Sequence, residues 1–175
     1  EHSGGGRITT AALAAEVGVS EAALYRHFPS KTRMYEGLID FIDETIFARV
    51  RGIVSDEPDP INQCLRILSL VLAFSEKNPG ITRILNGDAL TGETERLHDR
   101  VAQFFDRLES QLKQILREAE VRDGLKLQVP VATAANLMLC SADGKISQFV
   151  RSQFKTPPTQ NWQEQWQLLT AAMFE

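Results

Sequence analysis

From about Glu93 to Glu120 the apolar residues Leu97, Val101, Phe104, Phe105, Leu108, Leu112, Ile115 and Leu116 recur every three or four positions, with charged and amide side chains between them. That period is one face of an α-helix. A helix so long has to bury its stripe against other helices. The pattern repeats from about Lys31 to Ser55 through Met34, Leu38, Ile39, Phe41, Ile42, Ile46 and Val50. It returns at Ile61 to Lys77, in a short helix through Ile81, Ile84 and Leu85, at Val131 to Phe154 and at Trp162 to Phe174. No stretch alternates apolar and polar residues as a half-buried strand would, so the expected fold class is all-α.

Breaks fall where turn chemistry puts them. Asp56-Glu57-Pro58-Asp59-Pro60, Asn78-Pro79-Gly80, Arg122-Asp123-Gly124 and Pro157-Pro158 separate the helical runs. Apolar residues make up 43% of the 175, enough for a real core, yet no run of about 18 apolar residues is available to span a membrane. Cys64 and Cys140 lie far apart with no C-x-x-C partner, which excludes a disulfide framework or zinc ribbon. A reducing cytoplasm is the expected compartment.

Near the start, a short alanine-rich helix from Thr10 to Val17 is broken at Gly18-Val19 and restarted by Ser20 as N-cap. The second piece, Glu21 to Phe28, ends at Pro29, because proline disfavours helical geometry in the residue before it. Ser30 caps the next helix. These are the proportions of a helix-turn-helix, which needs small residues where its helices touch (Ala14, Ala15) and a glycine at the tight turn. Val19 and Leu24 are the expected plug between the two helices. The second helix would enter a major groove with Ser20, Glu21, Ala22 and Ala23 leading. Tyr25, His27 and Lys31 follow on the side facing the DNA backbone, where a phenol, an imidazole and an ammonium suit phosphate oxygens. Thr9 and Thr10 offer hydroxyls and a helix N-terminus to another phosphate. Glu21 either accepts from a cytosine amino group or serves the helix dipole; Arg26 contacts a base, a phosphate or solvent.

Charge adds little to this reading. Residues 1–35 hold Arg7, Arg26, Lys31 and Arg33 against Glu1, Glu16 and Glu21, a balance of +1, which leaves −5 for the remainder of a chain whose total is −4. One head of this size buries only about 600–1,000 Å² on DNA, so tight specificity calls for two copies. The last two helices are the expected two-fold interface, with Ala142 and Gly144 allowing close approach and Leu139, Ile146, Phe149, Val150, Trp162 and Trp166 supplying apolar area. The alternative for each of these residues is the protomer's own core.

The run Leu24-Tyr25-Arg26-His27-Phe28-Pro29-Ser30-Lys31 resembles the signature of the TetR family of DNA-binding regulators. The resemblance implies phosphate contacts by the Tyr, His and Lys. It also implies two parts, a DNA-binding domain over residues 1–35 and a helical dimerisation and partner-binding domain over 36–175. A full helix normally precedes the motif in this family; Glu1 to Gly6 read as its tail and loop, so the natural start is expected upstream. Arg7-Ile8-Thr9-Thr10, the stretch from Val17 to Met34, Asn78 to Leu85 and Phe149 to Lys155 are similar to a branch of the family that acts in bacterial cell division. That likeness implies a homodimer on palindromic chromosomal sites that, when DNA-bound, disrupts polymers of the tubulin-like protein FtsZ. It points to a groove for FtsZ between the helix bearing Phe41 and Arg49 and the helix bearing Leu70, Ala73, Lys77 and Asn78. Phe41 and Leu70 are alternatively core residues, and Arg49 and Lys77 suit an acidic tail.

Two other functions would each need a feature of its own. A ligand-responsive repressor would need an apolar cavity with convergent polar groups in the regulatory half. A metal or catalytic role would rest on Glu95 and His98, whose i, i+3 spacing forms half of a carboxylate-bridged metal site. No second copy of that pair occurs in the sequence, and the charged face of a helix is the simpler account. No nucleotide-binding or nucleophile motif is present, and no cofactor is implied. Cys64 and Cys140 read as small core residues in apolar helices.

Overall fold

The computed structural model describes residues 30–175 without a break and, ahead of them, Ala11, Ala14, Ala15, Gly18 and residues 20–28, the side chains of Glu21, Leu24 and Tyr25 aside. Among these residues the regular elements are helices: α1 (Glu21–His27), α2 (Lys31–Asp56), α3 (Pro60–Lys77), α4 (Pro79–Leu85), α5 (Glu95–Arg122), α6 (Val131–Arg151) and α7 (Trp162–Ala171), with a 3₁₀ turn at Asp88–Leu90. Ala11, Ala14 and Ala15 are also helical. The all-α expectation holds. No helix among the described residues is long and apolar enough to cross a membrane.

Local chemistry sets the boundaries. Ser30 caps α2 by accepting from the Arg33 amide at 3.2 Å. Asp59 caps α3 by accepting from the amides of Ile61 and Asn62 at 2.8 and 3.0 Å, with Pro60 at the first helical position, where its missing N–H is harmless. Two ends differ from expectation. The sequence pattern runs the sixth helix to Phe154, but it stops at Arg151 because Gln153 and Phe154 take left-handed backbone angles, φ 54° and 63°. The Phe154 amide instead donates back to the Phe149 carbonyl at 2.9 Å. The last helix stops at Ala171 rather than Phe174, since Phe174 forms an isolated antiparallel bridge with Leu127.

Most of the chain packs around one core. Ile46 and Phe47 of α2, Leu68 and Leu72 of α3, Phe104, Leu108 and Leu112 of α5, and Met138 and Ile146 of α6 belong to one buried cluster, closed by Trp162 and Trp166 of α7. The Trp162 indole N–H donates to Ser69 Oγ at 3.0 Å, so the polar edge of the buried ring is satisfied. A second, smaller cluster joins Ala14, Met34, Tyr35 and Ile39 to Ile84, Ala89, Leu90, Leu97 and Val101, with Phe28 packed against it. Helices α2 and α5 run side by side in the same direction. Ion pairs mark their register: Glu36 with Arg96, Asp40 with Arg100, and Asp43 with Arg107. The Arg107 guanidinium also lies 3.8 Å from the centre of the Phe47 ring.

Candidate nucleic-acid interface

The break between the two short helices is built as the sequence predicts. Gly18 sits at φ +71°, a conformation that costs most residues free energy but not glycine, and its amide donates to the Ala15 carbonyl at 3.2 Å. Ser20 then accepts from the Ala23 amide at 3.1 Å, so it is the N-cap of α1. Ala14 is buried, which suits helix contact, whereas Ala15 is exposed and does not make it. Ser20, Ala22, Arg26 and His27 are exposed, and Ala23 is half-buried. The leading end of α1 is therefore small and accessible, and its last turn carries two basic side chains. Thr9, Thr10 and Val19 lie outside the described residues, as do the side chains of Glu21, Leu24 and Tyr25.

Behind α1 the chain is fastened to α2. The Phe28 ring lies against Gly37 so closely that a methyl group there would sit 2.6 Å from its Cε1. A helical glycine costs roughly 1 kcal/mol relative to alanine, and this close approach is its physical reason. Lys31, the first residue of α2, pairs with Glu93 at 3.0 Å and lies 5.4 Å from the centre of the Tyr35 ring. The Tyr35 hydroxyl donates to the Ala89 carbonyl at 3.1 Å. Sequence reasoning assigns Lys31 to phosphate alone and misses this contact, because its partner lies on a distant loop.

The groove residues of the second half divide by exposure. Phe41 is 52% exposed, so the core alternative fails for it; Arg49 and Lys77 are also exposed. Leu70, Ala73 and Asn78 are half-buried, and Asn78 Nδ2 donates to the Phe74 carbonyl at 2.8 Å. The expected dimer residues need correction. Leu139, Ala142, Ile146, Trp162 and Trp166 lie within the protomer's own main core, and Phe149 is buried as well. Val150 is half-buried. An apolar side chain already covered by its own protomer has little area left for a partner. The accessible faces of α6 and α7 carry Ala132, Leu137, Cys140, Gly144 and Leu168 instead.

Comparison with known proteins places this geometry. Residues 2–38 match the model of bacterial regulatory proteins of the tetR family. Residues 59–173 match the SlmA-like domain, described as a tetracyclin repressor-like C-terminal domain. The chain belongs to the TetR family, in its SlmA-like branch. It is 60% identical over 166 residues to the nucleoid occlusion factor SlmA of Alteromonas mediterranea, covering 95% of this chain and 85% of that one. It is 54% identical over 175 residues to SlmA of Shewanella pealeana, covering 100% of this chain and 89% of the relative. In three dimensions it is similar to a TetR transcription regulator from Haloarcula marismortui, with a TM-score of 0.75 at 18% identity over 95% of this chain and 87% of the other. TetR-family membership makes the protein a DNA-binding regulator.

The remaining polar candidates have local roles in this TetR-type frame. His98 Nε2 lies 3.1 Å from the Leu90 carbonyl, which ties α5 to the 3₁₀ turn. No group of three or more metal-ligating side chains occurs among the described residues. Cys64 is buried, and burial pushes its thiol up to about 12, with the nearby Asp59 charge acting in the same direction. Cys140 is exposed, contrary to the core reading for it.

Proposed function

We propose that the protein is a dimeric nucleoid-occlusion factor that, when bound to palindromic chromosomal DNA, antagonises FtsZ assembly, and that it acts at the nucleoid. The observation that carries this reading is the 60% identity to a protein named for nucleoid occlusion, extending through the half of the chain that does not read DNA. Ser20, Ala22, Ala23 and Glu21 approach base edges, and Tyr25, Arg26, His27 and Lys31 meet the backbone, with Thr9 and Thr10 at a neighbouring phosphate. Exposed Phe41 and Arg49 of α2 and exposed Lys77 of α3 form the FtsZ contact, joined by Leu70, Ala73 and Asn78. A basic rim steers an acidic segment toward an apolar anchor.

The interior of the regulatory half favours this output over small-molecule control. Phe47, Leu68, Leu72, Phe104, Leu108 and Met138 fill the space between α2, α3, α5 and α6 with apolar side chains. Two-fold pairing uses the accessible faces of α6 and α7, where Leu137 is 47% and Leu168 75% exposed.

The test is sedimentation of FtsZ polymers with this protein and either a duplex selected for tight binding or its scrambled counterpart. Loss of pelletable polymer only with the selected duplex is expected. Equal loss with both duplexes would remove the DNA dependence, and no loss with either would remove FtsZ as the partner.

A further inference from the structure

Lys31 occupies an unusual place for a cation. It is the first residue of α2, and the helix has no acidic side chain in its first turn. The amides there point their partial positive charge at it, which disfavours an ammonium. What holds Lys31 is Glu93, 3.0 Å away on the loop before α5. The pair is largely withdrawn from water, with the Lys31 side chain 28% and the Glu93 side chain 11% exposed. The Glu93 amide donates to the Leu90 carbonyl at 2.9 Å, and the segment leading to it is tied to three helices. Tyr35 donates to Ala89, Arg83 pairs with Asp88 at 2.6 Å, and Ser147 of α6 donates to Asn86 at 2.9 Å. The carboxylate therefore stands on a loop anchored to the body, while its cation lies at the base of the DNA-reading head.

We propose that Glu93 is a positioning residue that restrains DNA binding by competing with a backbone phosphate for Lys31. The inference rests on the reading of Lys31 as a phosphate contact. A single ammonium beside a fixed carboxylate is already neutralised, and engaging a phosphate places two anions on one cation in a poorly solvated setting. Part of the attraction that Lys31 offers to DNA is thus spent inside the protein. Because phosphate contacts do not read sequence, the restraint acts equally on specific and non-specific duplexes. It lowers the general grip of the protein on DNA and leaves discrimination between sites unchanged.

The experiment is a double-mutant cycle on the full chain. Its probes are a duplex recovered by selection from random DNA and a random-sequence duplex of equal length. Wild-type preference for the selected duplex tests the DNA-binding reading itself; lack of any binding would sink that reading and the present inference together. Given binding, Glu93→Gln is expected to tighten both duplexes about three- to tenfold with an unchanged selected-to-random ratio. Lys31→Ala is expected to weaken both, and Glu93→Gln added to it should then change nothing. Glu93→Asp keeps the charge and is expected to stay near wild type. An equal gain in the Lys31→Ala background would make Glu93 a distant repulsive charge and overturn the proposal alone. So would no gain or a loss in Glu93→Gln with its melting temperature preserved, or a gain in Glu93→Asp matching that of Glu93→Gln.

Discussion

The short helix α1 has 7 residues, whereas α5 has 28 and is buried along one face, in the small cluster at Leu97 and Val101 and in the main core from Phe104 to Leu116. A seven-residue helix is far below the length at which isolated helices persist in water, about 12–15 residues. Its stability is borrowed. Phe28 against Gly37, and the small cluster from Ala14 to Val101, attach it to α2, the 3₁₀ turn and α5. The body is held by many large apolar side chains packed into one shared cluster; the head hangs on a few contacts. Damage to the body should therefore unfold the protein, and damage to the junction should silence DNA reading while the body remains folded.

The largest effect that sharpens this contrast is in thiol chemistry. With burial pushing its thiol up to about 12, Cys64 holds far less thiolate at about pH 8 than an ordinary exposed cysteine. A thiol-alkylating reagent followed by mass spectrometry should modify exposed Cys140 and spare Cys64 until the body opens. The sign of the pH dependence follows. An unfolded Cys64 gives up its proton near about 8.5 and the native one does not, so the stability linked to this group is whole below that pH and declines above it.

Next in size is Leu68→Ala, at a fully buried body position. It should cost about 2–5 kcal/mol by denaturant titration and lower DNA binding only through the loss of folded protein. Gly37→Ala comes third. Overpacking against Phe28 costs about 1–3 kcal/mol, partly offset by the better helix propensity of alanine, near 1 kcal/mol. DNA affinity should drop about tenfold while the main thermal transition moves little; coupled loss of both would mean that head and body unfold as one unit. Smallest is Ser20→Ala, where losing the cap costs about 1 kcal/mol, read as weaker DNA binding with an unchanged body midpoint.

Most of this architecture is legible in the sequence because helical period and capping are local. Ser20 and Ser30 cap where the pattern puts them, and Gly18 turns where a helix-turn-helix needs a left-handed residue. Sequence reasoning fails where two distant surfaces compete for one side chain. Periodicity gives the apolar side of α6, but Ala142 and Ile146 satisfy a partner helix and a neighbouring helix equally well, and only the packing assigns them to the core. The Lys31–Glu93 pair and the contact of Phe28 with Gly37 are tertiary in the same way. The one signal available was a glycine inside a helical pattern, since such a residue commonly marks a close approach.

The unbroken course of α2 has a mechanical meaning. Its 26 residues span about 39 Å at 1.5 Å per residue, from Lys31 just after α1 to exposed Asp56 at the turn into α3. Such a rod is a lever: tilting it by about 5° around its far end swings the near end by roughly 3 Å, about a tenth of the spacing between successive major grooves. Two levers related by a two-fold axis would double the change in span, so small adjustments where Phe41 and Arg49 sit would be felt as a change of gauge at the duplex.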